Sequence, residues 1–326
     1  MVEEVLANLY RIEIPLPGSP LGRVNSYVVK DAKRNLIIDT GLNRKECLEA
    51  MLAGLDEIGV ELKRSDFYIT HLHADHFALA RFLSDDNTKV YMNEPDKTYI
   101  ENWTSWEPVE KFYRLNGFPS DEVDAAIRNH PGEKYGSDRI PVMSAVKDGD
   151  IISCGGFDFT AVATPGHTPG HMCLYEPAKK FLLSGDHILI DITPNIGCWM
   201  DGIDPLRLYL ESLEKVYAMQ VELVLPGHRR LVTDCKGRIT ELRRHHLERL
   251  AEVLAILESG PQTGYQTASR MSWDIDCSSW ADFPVPQKWF ATSEAIAHLR
   301  YLEEEGKIVR SEHNGCRFYS RAPKPV

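Results

Sequence analysis

Hydrophobic positions in the first third of the chain fall into short runs separated by polar turns. Residues 9–14, 26–29 and 36–38 read as strands, the last ending at Asp39-Thr40-Gly41. Leu48, Met51, Leu52 and Leu55 then recur at helical spacing, which predicts a helix over 43–58. A buried-looking strand over 66–70 runs straight into His71-Leu72-His73-Ala74-Asp75-His76, and a further strand is expected at 89–92. Residues 94–140 differ in character. They are rich in Trp, Tyr and Phe, periodic only in pieces, and broken at Pro108, Pro119, Pro131 and Gly132, so two or three inserted helices are expected.

Strand patterns resume at 146–152, 157–163, 171–175 and 180–185, with turns at Gly155-Gly156 and Pro177. A helix over 205–219 and a strand over 223–225 follow. Ile239, Leu242, Leu250, Val253, Leu254 and Leu257 form one apolar stripe, which predicts a helix over 237–258. After a Gly/Pro/Ser-containing stretch at 259–287 come a helix near 292–305, Gly306, and two short strands flanking Asn314-Gly315, a strong hairpin signal. Two stretches of strands with helices between them predict an α/β chain with two sheets and helices on their outer faces. Helix followed by hairpin is the tail of a winged-helix unit.

Composition narrows the classes of function. With 326 residues, 43% hydrophobic and six tryptophans, the chain can bury a sizeable core and is not disordered. Lys and Arg number 37 against 48 Asp and Glu, a formal net charge of -11. That balance is poor for general nucleic-acid binding, which depends on Lys and Arg displacing counterions. Seven scattered cysteines without a CxxC suit free thiols in a reducing compartment. The acidic start MVEEVLANLYRIEIPLP lacks the features of a signal peptide, and no apolar run approaches the ~20 residues of a membrane span. A cytoplasmic protein without a membrane partner is expected.

His71, His73, Asp75 and His76 lie within six residues directly after a strand. Three imidazoles and a carboxylate suit zinc or a similar borderline divalent ion; the bland alternative is a polar turn that happens to hold three histidines. Three later loops each place a ligand-type residue beside a glycine after a strand: Thr164-Pro165-Gly166-His167-Thr168-Pro169-Gly170-His171, Ser184-Gly185-Asp186-His187 and Leu225-Pro226-Gly227-His228. Each is weak alone. Together, after an HxHxDH loop, they are poorly explained by coincidence. Two divalent ions about 3.5–4 Å apart can share a water, lower its pKa and present hydroxide to a carbonyl or phosphoryl centre. Zinc is the default metal, and iron or manganese would tolerate the same ligands.

This order of motifs resembles the metallo-β-lactamase-fold hydrolase superfamily, in the branch containing glyoxalase II-like and RNase Z-like enzymes. The resemblance runs from the first strands to about His228 and implies a four-layer αββα sandwich over residues 1–235. It implies that His71, His73 and His167 hold one metal, that Asp75, His76 and His228 hold the other, and that Asp186 bridges them. Asp39 matches a position that supports the ligands from behind, the alternative being a plain strand-ending turn. Phe290-Ala291-Thr292, Ala297-His298-Leu299, Leu302, Glu305-Gly306-Lys307-Ile308 and Tyr319 resemble the winged-helix-like C-terminal domain of the β-lactamase-like protein 2 subgroup, some members of which cleave single-stranded RNA. That gives a second domain over 236–326. The stretch Ile192-Thr193-Pro194-Asn195-Ile196 also resembles a loop of the subgroup.

Asp75, Asp186 and His171 are the expected catalytic residues, His171 as the nearby candidate for a supporting, substrate-facing or proton-donating side chain. His187 reads as structural. Arg229, with Arg230, could take a carboxylate or carrier phosphate, against the commoner reading of exposed loop arginines. Tyr99, Trp103 and Trp106 could roof an acyl pocket, against ordinary packing of an inserted helical pair. Three functions compete: a two-metal hydrolase of a small thioester or ester, a metal-dependent phosphodiesterase or endoribonuclease, and a winged-helix regulator with a vestigial hydrolase domain. The complete ligand set argues against the third. Residues 94–140 carry ten acidic and six basic side chains, and the tail from 288 only seven basic against five acidic, so a small-molecule substrate is expected ahead of RNA.

Overall fold

The computed structural model describes residues 1–136 and 140–323. The expected insertion at 94–140 and the tail to 326 therefore include residues, 137–139 and 324–326, that lie outside the described ones. Two compact units divide the chain. One comprises Met1–Trp103, Lys134–Pro194 and Ser212–Ile239; the other comprises Thr104–Glu133, Asn195–Glu211 and Thr240–Val326. The sequence suggested a single boundary at 235, whereas the second unit gathers most of the insertion and residues 195–211 with the tail.

Seven strands make the first sheet in sequence order: β1 (Val2–Leu6), β2 (Leu9–Pro15), β3 (Arg23–Val29), β4 (Asn35–Ile38), β5 (Ser65–Tyr68), β6 (Val90–Asn93) and β7 (Met143–Val146). Neighbours from β1 to β4 are antiparallel and joined by short links; from β4 to β7 they are parallel. Parallel pairing needs long crossovers, and helix Lys45–Glu57 lies in the first of them. The second sheet runs β12-β11-β10-β9-β8, from β8 (Ile151–Cys154), β9 (Phe157–Ala163), β10 (Met172–Glu176), β11 (Phe181–Gly185) and β12 (Leu223–Pro226); only β11 and β12 are parallel. The single strand expected at 146–152 is thus the end of β7 and the start of β8, in different sheets, with the chain turning at Gly149 (φ 86°). β1 was not foreseen, because its mixed VEEVL pattern has neither period.

The period of two along each strand divides the core into two layers. Tyr27, Val29, Leu36 and Ile38 meet Phe157, Phe159, Leu174 and Phe181 between the sheets. Their alternates, Val24, Val28 and Ile37, pack with Cys47, Met51 and Leu55 of the helix on the far face. Beyond the second sheet, Ser212 Oγ and Lys215 Nζ bond the carbonyls of Pro165 and Ala163 at 2.8 and 3.1 Å. The first unit is therefore the four-layer αββα sandwich that the resemblance implied.

Among the described residues the insertion forms four helices where two or three were expected: Glu94–Glu101, Glu107–Leu115, Ser120–Asn129 and Pro131–Lys134. In the second unit, Trp289 of helix Val285–Glu304 stacks on Tyr113 with ring centroids 3.5 Å apart. That helix begins earlier than the apolar pattern suggested, because Pro286 suits a first turn. It leads to β13 (Ile308–His313) and β14 (Cys316–Arg321), whose turn puts Asn314 and Gly315 at φ 51° and 73°, as a two-residue hairpin loop requires. Among the described residues no helix is long and apolar enough to cross a membrane.

Candidate metal centre

All seven expected ligands come together at the ends of strands in the first unit. His73 stands at the N-terminal boundary of the short helix Ala74–Phe77 that follows β5, which turns Asp75 and His76 back toward His71. His167 lies in the loop from β9 to β10, Asp186 follows β11, and His228 follows the parallel β12. Three trios have donor atoms within 4.8 Å of one another: His71, His73 and His167; His71, His76 and Asp186; and Asp75, His76 and His228.

The spacing of the donors is the informative quantity. His71 Nε2 and His73 Nδ1 are 3.1 Å apart, and His76 Nε2 and His228 Nε2 3.3 Å. His228 Nε2 lies 3.4 Å from both Asp75 Oδ2 and Asp186 Oδ2. His76 Nε2 is 3.5 Å from Asp186 Oδ1, and His167 Nε2 3.6 Å from Asp186 Oδ2. A tetrahedron with metal–ligand distances of about 2.0–2.1 Å has edges of about 3.3–3.4 Å. The Asp186 carboxylate touches both the three-histidine trio and the trio with Asp75. Its Oδ1 is buried without a hydrogen-bond partner, and a Cβ on Gly227 would lie 2.6 Å from it. These residues fit a pair of divalent ions.

Neighbouring groups fix which nitrogens face inward. His228 Nδ1 donates to the Arg23 carbonyl at 2.7 Å and His76 Nδ1 to Asp39 Oδ2 at 2.7 Å, leaving both Nε2 lone pairs toward the cluster. Asp39 also accepts the Thr70 amide and hydroxyl, both at 2.8 Å. These bonds place Asp39 behind His76 and Thr70.

Burial pushes His71 and His73 well below the ordinary imidazole range, so both are neutral donors. Burial also opposes the charge on Asp186, but His228 and His76 outweigh it and hold the carboxyl well below its usual range. For His228, burial is outweighed in turn by Asp186 and Asp75, which lift it to about 10. A divalent cation among these groups competes with such protons for the same lone pairs.

The geometry of His171 corresponds to its supporting reading and not to the proton-donating one. Its Nε2 accepts the Asp186 amide at 3.1 Å, so the proton sits on Nδ1 and faces Thr164 Oγ1 at 2.8 Å. With both nitrogens engaged and the ring fully buried, it holds the Asp186 loop and has no proton to give a substrate. Trp106 belongs to the second unit, where its indole donates to Glu133 at 2.7 Å and its ring meets His130 edge-on, the packing reading. Tyr99 and Trp103 lie in the first unit with ring centroids 5.6 Å apart, Trp103 being 38% exposed. Arg229, at φ 67°, donates to the Pro20 carbonyl; Arg230 is exposed and pairs with Asp191.

Sequence reasoning missed two buried polar anchors. Asn25, fully buried in the middle of β3, donates to the carbonyls of Pro226 and Arg229 at 2.9 Å each and fastens the His228 loop. An amide in the middle of a buried strand was the available signal. Asp96 accepts the Leu72 and Gly170 amides and the Thr168 hydroxyl, and burial lifts its carboxyl to about 6.

Five histidines and two aspartates gathered at strand ends of an αββα sandwich define a metallo-hydrolase type of centre. The chain belongs to the Metallo-beta-lactamase superfamily, whose pattern matches residues 19–228 and whose members typically bind divalent metals. It is 26% identical to the probable metallo-hydrolase YqjP of Bacillus subtilis over 99% of both chains. It is 23% identical to a beta-lactamase-like protein 2 homolog of Caenorhabditis elegans, over 89% of this chain and 81% of that one. The same identity links it to the atrochrysone carboxyl ACP thioesterase nsrC of Aspergillus novofumigatus, over 81% and 67%. The chain spans about two thirds of the length of several such fungal relatives. Among solved structures, the metallo-beta-lactamase family protein TTHA1429 of Thermus thermophilus superposes with TM-score 0.82 at 28% identity, covering 98% of this chain and 100% of that one.

Proposed function

We propose that the chain is a dinuclear metal-dependent hydrolase of a small thioester or ester, with His71, His73 and His167 holding one ion, Asp75, His76 and His228 the other, and Asp186 spanning both. The observation that carries this reading is that most donor separations, 3.1 to 3.6 Å, lie close to the edges of tetrahedral ligand shells, the His76 Nε2 to Asp75 Oδ2 pair being wider at 4.0 Å. Zinc is the metal we assign, with iron or manganese compatible with the same donors. When bound, two such ions supply Lewis acidity and a water of lowered pKa. The chain contributes the rest. Asp186, held by the His171 ring through its amide, fixes the spacing of the two trios. Asp75 keeps 17% of its side chain exposed, against 8% for Asp186.

The position of His171 favours a thioester. With no proton available from that ring, a leaving group that departs unprotonated is favoured, which a thiolate does far more readily than an amide nitrogen or an alkoxide. Tyr99 and Trp103 then offer an apolar wall for the acyl group, and Arg229 a cation for a carboxylate or carrier phosphate. The thioesterase name of a relative points the same way. We read the tail as a winged-helix-like module whose near-balanced charge is a weak footprint for nucleic acid, and the free cysteines as fitting the cytoplasm.

Metal analysis of the purified protein, with turnover of glutathione and coenzyme A thioesters beside single-stranded RNA, tests this reading. Two ions per chain and thioester hydrolysis are expected. Efficient RNA cleavage without thioester turnover would put the nuclease reading in its place. A protein with no bound metal and no turnover would leave the regulator.

A further inference from the structure

We infer that Asp96 is a positioning residue for the trio His71, His73 and His167, and not for the trio containing Asp75; the inference rests on the metal reading above. Asp96 lies in the first turn of helix Glu94–Glu101 and is fully buried. Its Oδ2 accepts the Leu72 amide at 2.9 Å and the Thr168 hydroxyl at 2.7 Å, and its Oδ1 the Gly170 amide at 2.6 Å. Leu72 sits between His71 and His73, and Thr168 adjoins His167. One carboxylate therefore ties together the two loops that carry all three histidines.

The fit is specific to a carboxylate. Three donors and no acceptor among these contacts face it, which an acceptor-only group satisfies completely. An asparagine would turn its amide NH2 against at least one of those donors. Close approach is built in as well: a Cβ on Gly170 would lie 2.4 Å from the Asp96 nitrogen and 2.7 Å from its Cγ.

The other trio is anchored by different groups. Arg23 and Asn25 fix His228 and its loop, and Asp39 fixes His76. Charge separates the trios too. One includes Asp75, whereas the three histidines bring no charge of their own. Asp96 places a buried carboxylate directly behind their loops, a further counter-charge for a dication whose only charged ligand is the shared Asp186.

Chelator competition on the zinc-loaded full chain, following each ion as it leaves, tests this. In Asp96→Asn one of the two ions should transfer to chelator with about 10–100-fold weaker affinity, the second as in wild type. Thr168→Val, which removes one bond and no charge, should shift the same ion by less, and it keeps the test open should Asp96→Asn fail to fold. In a His167→Ala background, adding Asp96→Asn should change the remaining ion by less than about twofold, since supports to ligands act on the metal they serve. Equal weakening of both ions, or of neither, overturns the assignment while leaving the metal reading intact. A wild type that holds no divalent ion overturns the metal reading and this inference with it.

Discussion

The Asp39 carboxylate sets the tautomer of His71 without touching it. Asp39 Oδ2 accepts the Thr70 hydroxyl at 2.8 Å, which leaves the Thr70 oxygen to accept the Nδ1 proton of His71 at 2.9 Å. The same Oδ2 takes the Nδ1 proton of His76 directly. One carboxylate thus aims one imidazole in each trio. It reaches this place because β4 and β5 are parallel neighbours, so residues just past their ends lie side by side, and because an aspartate tolerates the left-handed φ of 59° at position 39.

Asp39→Asn should therefore weaken both ions, in contrast to Asp96→Asn. An amide cannot accept from Thr70 and His76 with the same strength, so about a 10–100-fold loss of affinity is expected at each site. Chelator competition reads it; a loss confined to one ion would show that the relay through Thr70 does not matter.

Asp186→Asn should remove most hydrolysis and leave the fold in place. The carboxylate contacts His76, His167 and His228 within 3.6 Å, so its loss affects both trios, whereas its backbone bonds are unaffected. Circular dichroism should match wild type while kcat collapses; wild-type turnover would rule out a bridging role. Chelation of wild type should likewise lower the melting temperature, since ions that bind only the folded state stabilise it by mass action.

The ligand loops were legible in sequence because the later three put their ligands beside a glycine at a strand end, and four of the seven lie within six residues. Period-two and short apolar runs likewise revealed the approximate positions of most strands, among them β2, β9 and β11. What stayed hidden depends on contacts distant in sequence. Asp96 meets Leu72 across 24 residues and Gly170 across 74, and no local pattern distinguishes it from other acidic residues of an insertion. His171 looked available because sequence does not show that the Asp186 amide faces its ring. Asn25 falls just before the stretch 26–29 that reads as a strand, and its partner Pro226 lies 201 residues away.

Gly227→Ala tests how closely the ligands are packed. An added methyl would sit 2.6 Å from Asp186 Oδ1 and 2.8 Å from His76 Cε1, so one of those ligands must move. Overpacking of this kind costs about 1–3 kcal/mol. Thermal unfolding should show that loss, and metal content should fall with it; unchanged metal affinity would mean that the ligands have slack.

Glu294 gives the second unit an acid-side signature. Its side chain is buried beside Arg249 and accepts from Asn195 at 2.8 Å, yet burial prevails and lifts the carboxyl from 4.5 to about 6. The folded chain therefore holds this proton more tightly than the unfolded one. Its contribution to stability is complete below pH 4.5 and is lost as pH rises through about 6. At 1.36 kcal/mol per unit the loss is about 2 kcal/mol. Glu294→Gln keeps an acceptor for Asn195 and removes the titration. Urea unfolding of both proteins between pH 4.5 and 7 should show the wild type losing that much relative to the variant as pH rises. A difference that stays flat across the range, or grows in the opposite direction, would mean that Arg249 and Asn195 already compensate the buried charge.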